Sequence, residues 1–328
     1  MIGTQRSGSN LLRVMMDGIG QIEGPHPPHI LQRFVPLLSK YGDLSERANF
    51  VKLATDVCKM VNINPVPWEG ICISTDEILA ECKCPSIYEL FRAIYETAAR
   101  QKGATYWLCK SMKNMFYAEG IESTGIRPYY IYLYRDGRDV ALSFQKAIVG
   151  EKHIYALAHN WKKDQEEAFR LRERTNPDHF YMLSYEMLTA NPVEVMQQLC
   201  DFLHLPYTDK VMEYYKSRES QNTAVAGTMW ANVTKPIMKN NINKFLHELS
   251  SEDIAIFESV AGDVLQRLNY KLYSPEGALR SHFTEEEIAF FKAENARLKK
   301  EFLQHADISD IEKRRPQDEL INLIMNYK

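Results

Sequence analysis

Hydrophobic and polar positions alternate along this chain in two periods, one of strands and one of helices, and the two take turns. The apolar start Met1-Ile2 runs into the Gly/Ser loop Gly3 to Ser9, after which Leu11, Leu12, Val14, Met15 and Met16 follow a helical spacing. Aromatic and β-branched runs at Thr105 to Cys109, Tyr129 to Tyr134 and His179 to Ser184 are bounded by polar turns and predict buried strands, each followed by a helical segment. Residues 25 to 100 mix the Pro-rich loop Pro25 to His29 with helices such as Ile87 to Arg100, which predicts helices capping a sheet. Alternating strands and helices imply an α/β fold with a mostly parallel central sheet covered on both faces. The run before Gly3 is shorter than the about five residues of a usual strand, so the first strand is expected to be shortened.

Helix starts are marked by their caps. Asn191-Pro192-Val-Glu194 places a cap, a proline at the first helical position and an acid in the first turn before Val195 to Leu203. Ser250 with Asp253 and Thr284 with Glu287 repeat the capping-box pattern. The first of these helices ends near Tyr270, which predicts a main domain over 1–274 and a C-terminal helical extension over 275–328. In that extension Ile288, Phe291, Asn295, Leu298 and Phe302 fall on alternating spacings of three and four. They fit either a short coiled-coil seam, making a homodimer through this helix, or an amphipathic helix packed on its own domain.

Composition narrows the function classes. Of 328 residues, 45% are hydrophobic and 25% charged, enough to bury a large core. Forty Lys+Arg against 43 Asp+Glu give a net charge of −3, so no global basic field favours nucleic acid and any anion site must be local. No run of 18 apolar residues and no signal-peptide pattern occurs, which predicts a cytoplasmic protein without a membrane span. The six cysteines make no disulfide framework or zinc pattern; Cys82 and Cys84 are the only close pair.

Two loops carry candidate chemistry. Gly3-x-x-x-x-Gly8 has the glycine spacing of a phosphate-cradling loop at a helix start, where backbone N–H groups and the helix dipole favour an anion. A nucleoside-triphosphate enzyme would follow Gly8 with Lys and Ser or Thr; this chain has Ser9-Asn10, and its cation, Arg6, lies inside the loop. Arg135 closes a predicted central strand, where ligands of open α/β sheets bind, and Ser143 follows on the ensuing helix.

These residues carry a resemblance. Gly3-Thr-Gln-Arg6-Ser-Gly-Ser-Asn-Leu-Leu12 resembles the 5′-phosphosulfate loop of sulfotransferases that use 3′-phosphoadenosine-5′-phosphosulfate (PAPS), and Tyr134-Arg135 to Ser143 is similar to their 3′-phosphate motif. Trp107-Leu-Cys-Lys110 resembles the family's strand-end lysine. Leu183-Ser-Tyr185-Glu-Met-Leu with Pro192, Asn232 to Pro236 around Lys235, and Asn243-Lys244-Phe245 resemble its later segments, the last two those of tyrosylprotein-sulfotransferase-like members. The likeness extends discontinuously from Gly3 to about Tyr270 and implies a P-loop-like three-layer sandwich.

The resemblance implies metal-independent, in-line sulfuryl transfer from PAPS to an acceptor hydroxyl. In it Arg6 and Lys110 neutralise the sulfonate and bridging oxygen, Ser7, Gly8, Ser9 and Asn10 cradle the 5′-phosphate, and Arg135 and Ser143 take the 3′-phosphate. Tyr185, Lys235 and Lys244 are further nucleotide contacts. Family members place a Glu after the first helix or a His after the lysine strand as general base; here the first register falls near His26 and the second holds Ser111-Met112. His26 is therefore the candidate base, with His29 second. The competing classes are a P-loop nucleotide kinase or NTPase and a non-catalytic nucleotide-binding scaffold.

Overall fold

The computed structural model describes residues 1–327. The chain is a mixed α/β fold in which helices predominate. Its first helix, α1 (Ser9–Asp17), emerges directly from the Gly/Ser loop. Four short strands follow in chain order: β1 (Ile22–Glu23), β2 (Tyr106–Trp107), β3 (Tyr130–Tyr134) and β4 (Phe180–Ser184). β1 pairs with β2 and β3 with β4, both parallel, as two separate two-stranded sheets.

The expected continuous sheet is interrupted where the first strand was to stand. Residues 1–3 make only an isolated bridge, Ile2 to Tyr132, with Ile2 bonded through its N–H to Ile131 and through its carbonyl to Leu133. On the other side the Met1 amine donates to the Cys109 carbonyl at 3.0 Å and the Gly3 N–H to that of Met112 at 3.2 Å. These three residues are thus the link between the two sheets and form a ladder with neither.

β3 is buried on both faces, as its unbroken apolar run requires. Ile131 and Leu133 pack with Leu12, Met15 and Met16 of α1 and with Val195 and Leu199 of α6 (below), while Tyr130 and Tyr132 face Trp161, Phe257 and Ala261 on the opposite side. The helices that build these layers are α2 (Arg47–Asn62), α3 (Ile87–Lys102), α4 (Gly137–Gln145), α5 (Ile154–Arg174), α6 (Pro192–Phe202), α7 (Ser251–Arg267), α8 (Glu285–His305) and α9 (Ile308–Met325). Caps define several of them. Ser250 accepts from the Asp253 N–H at the start of α7, and Thr284 and Glu287 form the reciprocal capping box of α8. At α6 the proline is at the first position, but Asn191 makes no side-chain cap bond.

Residues 275–327 fold back onto the rest of the chain. Asn295 on α8 accepts the N–H of Lys152 at 2.8 Å and of His153 at 3.0 Å, capping orphan donors at the start of α5. Phe291 stacks on His153 and meets Tyr155, so the heptad-like residues are engaged within the chain. α9 goes further: Leu320 and Ile324 are fully buried in the cluster formed by α2 and α3. No helix of the described residues is long and apolar enough to cross a membrane.

Candidate active site

A cleft of about 730 Å³ opens where the Gly3–Gly8 loop, the β3–α4 turn, the Pro25–His29 loop and α9 converge. The loop is held open by its backbone. Gly3, Arg6 and Gly8 all take positive φ, at 127°, 73° and 88°. At Gly8 a side chain is excluded twice, by conformation and because a Cβ would stand 2.3 Å from the Tyr185 ring. Gly8 is also the N-cap of α1 and makes no side-chain cap bond, which leaves the first N–H groups of the helix for another acceptor. Ser7 Oγ is buried with no hydrogen-bond partner. Behind the loop, buried Arg13 ties α1 to the Gly24 carbonyl at 2.8 Å and to Thr223 at 2.7 Å, and pairs with Glu219.

The two sequence motifs meet inside this cleft. Arg6 Nε donates to Ser143 Oγ at 3.0 Å, and the Arg135 guanidinium donates to the Arg6 carbonyl at 3.2 Å. Arg135 is buried, stacks over the Tyr185 ring at 4.5 Å, reaches the Asn241 carbonyl at 2.7 Å and keeps its Nε without a partner. Asp139 lies 3.7 Å from Arg135 and accepts the backbone N–H groups of Asn243 and Phe245 at 2.8 and 3.0 Å. Those bonds fasten the late segment over the motif, and Asn241 closes the set by donating to the Tyr185 hydroxyl at 2.9 Å.

Lys110 stands on the other side of the loop, buried and donating to Asn10 Oδ1 at 3.0 Å. Burial lowers its pKa to about 7, helped by the positive charges of Arg13 and Arg6. Arg6 is lowered to about 10, first by burial and then by Arg135 and Arg314. Arg6 is turned to Ser143 and Met229, all neutral partners, rather than to Lys110. Arg6 and Lys110, expected to serve one group, thus make their hydrogen bonds on different sides of the loop, Arg6 to Ser143 and Lys110 to Asn10.

His26 also lines the cleft, and its Nε2 is buried without a partner. Its carbonyl accepts from Trp68 Nε1 at 2.7 Å and Asn64 Nδ2 at 3.0 Å, which fixes the loop. Asn64 spends its two N–H bonds on carbonyls of His26 and Val66, so its 3.4 Å contact with His26 Nδ1 leaves the tautomer open. Burial, with Lys110 and Arg13 adding to it, pushes the His26 pKa well below 6.5, so the ring is neutral at pH 7. His29 is likewise pushed down, mainly by burial, and lies beside it on the cleft wall.

Of the remaining sequence candidates, Ser9, Asn10 and Lys244 line the cleft, although Lys244 is ion-paired with Glu248 at 3.2 Å. Lys235 does not; it is exposed beyond the turn Thr228–Thr234, its N–H donating to the Asn232 carbonyl at 3.1 Å and its carbonyl accepting from the Tyr214 hydroxyl at 2.7 Å. Several cleft residues escaped the sequence reading, among them Asn64, Met229, Trp230, Arg314 and Gln317. The basic run Lys313-Arg314-Arg315 was the one local signal for Arg314.

The sequence matches the family described as "Sulfotransferase family" over residues 1–209, a span that holds both loops, Lys110 and the His26 turn. The chain belongs to the sulfotransferase family. Two solved structures share the fold of this sulfotransferase-family chain. The "Sulfotransferase Domain from the Curacin Biosynthetic Pathway" superposes with a TM-score of 0.54 at 18% identity, covering 83% of this chain and 97% of the other. The "Sulfotransferase Domain from the Synechococcus PCC 7002 Olefin Synthase" gives 0.53 at 18% identity, covering 83% and 94%. A curated "Uncharacterized protein" of Aquifex aeolicus (strain VF5) is 30% identical over 122 residues, which is 35% of this chain and 16% of that protein's length. The family match ends before the late segment, so α7, α8 and α9 belong to the part it does not describe.

Proposed function

We propose that this chain transfers a sulfuryl group from PAPS to an acceptor hydroxyl in the cleft. The observation that carries the reading is the meeting of the two loops: an uncapped helix N-terminus at Gly8 and the side chains of Arg6, Arg135 and Ser143 line one space. Arg6, buried and hydrogen-bonded to neutral groups, favours an anionic ligand, because burial without a counter-charge is costly. The donor supplies a sulfuryl group activated by its linkage to phosphate.

The chain's residues supply the rest. Ser7, Gly8, Ser9 and Asn10 offer N–H and hydroxyl donors to the 5′-phosphate at the start of α1. Arg135, Ser143 and Arg6 form the 3′-phosphate seat, with Tyr185 stacked beneath Arg135 and Lys244 at its edge. Lys110 holds positive charge against the leaving oxygen. His26, neutral and with a vacant Nε2, takes the acceptor proton. A metal-independent reaction follows from Ser9-Asn10 standing where a Mg²⁺-using loop has Lys and a hydroxyl residue.

The same reading treats the two sheets as parts of one central parallel sheet in a P-loop-like three-layer sandwich; the bonds of residues 1–3 to both sides support it. A reducing, cytoplasmic setting accords with six free cysteines. The test is nucleotide discrimination. 3′-Phosphoadenosine-5′-phosphate should bind at least tenfold tighter than adenosine 5′-monophosphate, and Arg135→Ala should erase the difference. Equal affinity of the wild-type protein for both would remove the 3′-phosphate seat.

A further inference from the structure

The cleft has a second cationic wall, contributed by the part of the chain that lies outside the family match. Arg314 on α9 stands 5.2 Å from the Trp230 ring centre, and the His26 ring meets the same indole at 4.7 Å between centroids. Trp230 therefore spaces Arg314 from the candidate base, while its neighbour Met229 faces Arg6. Gln317, one turn further along α9, donates to Asn64 Oδ1 at 3.3 Å and to the Met60 carbonyl at 3.1 Å, so the same helix braces the loop that carries His26. Buried Leu320 and Ile324 anchor it.

Two of the three guanidinium nitrogens of Arg314 are buried donors without an acceptor. Its Nε and Nη2 are buried and have no hydrogen-bond partner. Arg33 also lines the cleft, and its guanidinium meets the Met60 sulfur at 3.6 Å. Both arginines line the cleft, and the Arg314 charge contributes to the downward shift of Arg33 as well as of His26, His29 and Arg6. The acids that act on Arg314 are Asp310 and Asp318 of its own helix, and Asp318 also acts on Arg33. The carboxylates that line the cleft, Asp139, Asp164 and Glu151, sit instead with Arg135, Lys113 and Lys299.

We propose that Arg314, with Arg33 beside it, binds an anionic group, a carboxylate or a phosphate, on the acceptor itself. This rests on the sulfotransfer reading of the cleft and deepens it: the acceptor is a small hydroxy acid or hydroxy phosphate, seated with its hydroxyl toward His26 and its anion toward α9. Arginine suits the task because its planar fork matches both oxyanions. Trp230 between the two gives the acceptor's carbon skeleton a flat apolar surface.

The test uses the full chain saturated with 3′-phosphoadenosine-5′-phosphate and titrated with 4-hydroxybenzoate, its methyl ester and inorganic phosphate. The acid or phosphate should bind, the ester at least tenfold more weakly, and Arg314→Met should abolish the preference while leaving bisphosphate affinity within twofold; Arg314→Lys should restore part of it. The carboxylate and phosphate arms show which oxyanion the site takes. The proposal is overturned if the acid and ester bind alike, if neither anion binds, if the preference survives in Arg314→Met with an unchanged melting temperature, or if the bisphosphate itself dissociates more easily from that variant, which would place Arg314 on the donor. Failure of the bisphosphate to bind the wild-type protein would instead sink the sulfotransfer reading. The acid-versus-ester comparison is then made on the free protein, where loss of the preference in Arg314→Met and its persistence in Arg135→Ala still identify the anion site.

Discussion

Arg6 Nε and Ser143 Oγ lie 3.0 Å apart although 137 positions separate them in the chain. That single bond joins the Gly/Ser loop to the helix after β3 and makes one site of two loops. It also gives Arg6 a partner it can exchange for an incoming phosphate at little cost, because a neutral hydroxyl leaves the guanidinium charge uncompensated.

Arg135 is central to the same wall. Replacing it by alanine should weaken bisphosphate binding at least tenfold, about 1.4 kcal/mol or more, and Arg135→Lys should recover only part, since a point charge cannot reproduce the fork that reaches both Asn241 and the loop carbonyl. Calorimetric titration of both variants checks this; wild-type affinity in either would contradict it.

Lys110 makes binding proton-linked. Its pKa of about 7 leaves it largely neutral at pH 8, and a bound phosphate, favouring the charged form, raises that pKa. Bisphosphate binding at pH 8 should therefore take up close to one proton, roughly nine-tenths if the complex holds Lys110 fully charged. The uptake should shrink below pH 6 and vanish in Lys110→Met. Titrations in buffers of different ionisation enthalpy measure it, and identical apparent enthalpies at pH 8 would rule it out.

As the proposed base, His26 should set the acid limb of the rate. The neutral ring is the active form, and burial holds its pKa well below 6.5, so activity should persist through pH 6.5 and fall only at lower pH. His26→Ala should lose most turnover with bisphosphate affinity intact, whereas His29→Gln should keep turnover. A His26→Ala enzyme with an unchanged kcat would take His26 out of the chemistry.

The chain announced these residues because local chemistry needs local patterns. A phosphate loop must put glycines at Gly3 and Gly8 and cations within a few residues of the helix start, and the β3 motif keeps Arg135 and Ser143 eight positions apart. Strand and helix positions were legible for the same reason: the runs at 129–134 and 179–184 and the helix from Ile87 are found within a residue or two of their predicted ends. What was not legible depends on where the chain returns. Arg314 and Gln317 reach the cleft because α9 packs on α2, and Trp230 because a short turn carries it to His26; neither contact leaves a periodic trace. Lys235 follows the turn Thr228–Thr234 and is exposed, a placement its neighbours in sequence do not convey.

The place of α9 in the core has its own consequence. Ile324 is fully buried among residues of α2 and α3, so Ile324→Ala should cost ~2–5 kcal/mol of stability. Urea denaturation measures it. A loss under about 0.5 kcal/mol, the scale of a surface substitution, would mean that α9 is a peripheral attachment.

The most direct test of the nucleotide site is calorimetric titration of the wild-type protein, without added metal, with 3′-phosphoadenosine-5′-phosphate and separately with ATP. The two meeting loops predict tight binding of the bisphosphate and binding of ATP at least tenfold weaker. ATP binding as tightly as the bisphosphate, or no binding of either, would contradict a site made by Arg6, Arg135 and Ser143 for a 3′-phosphate.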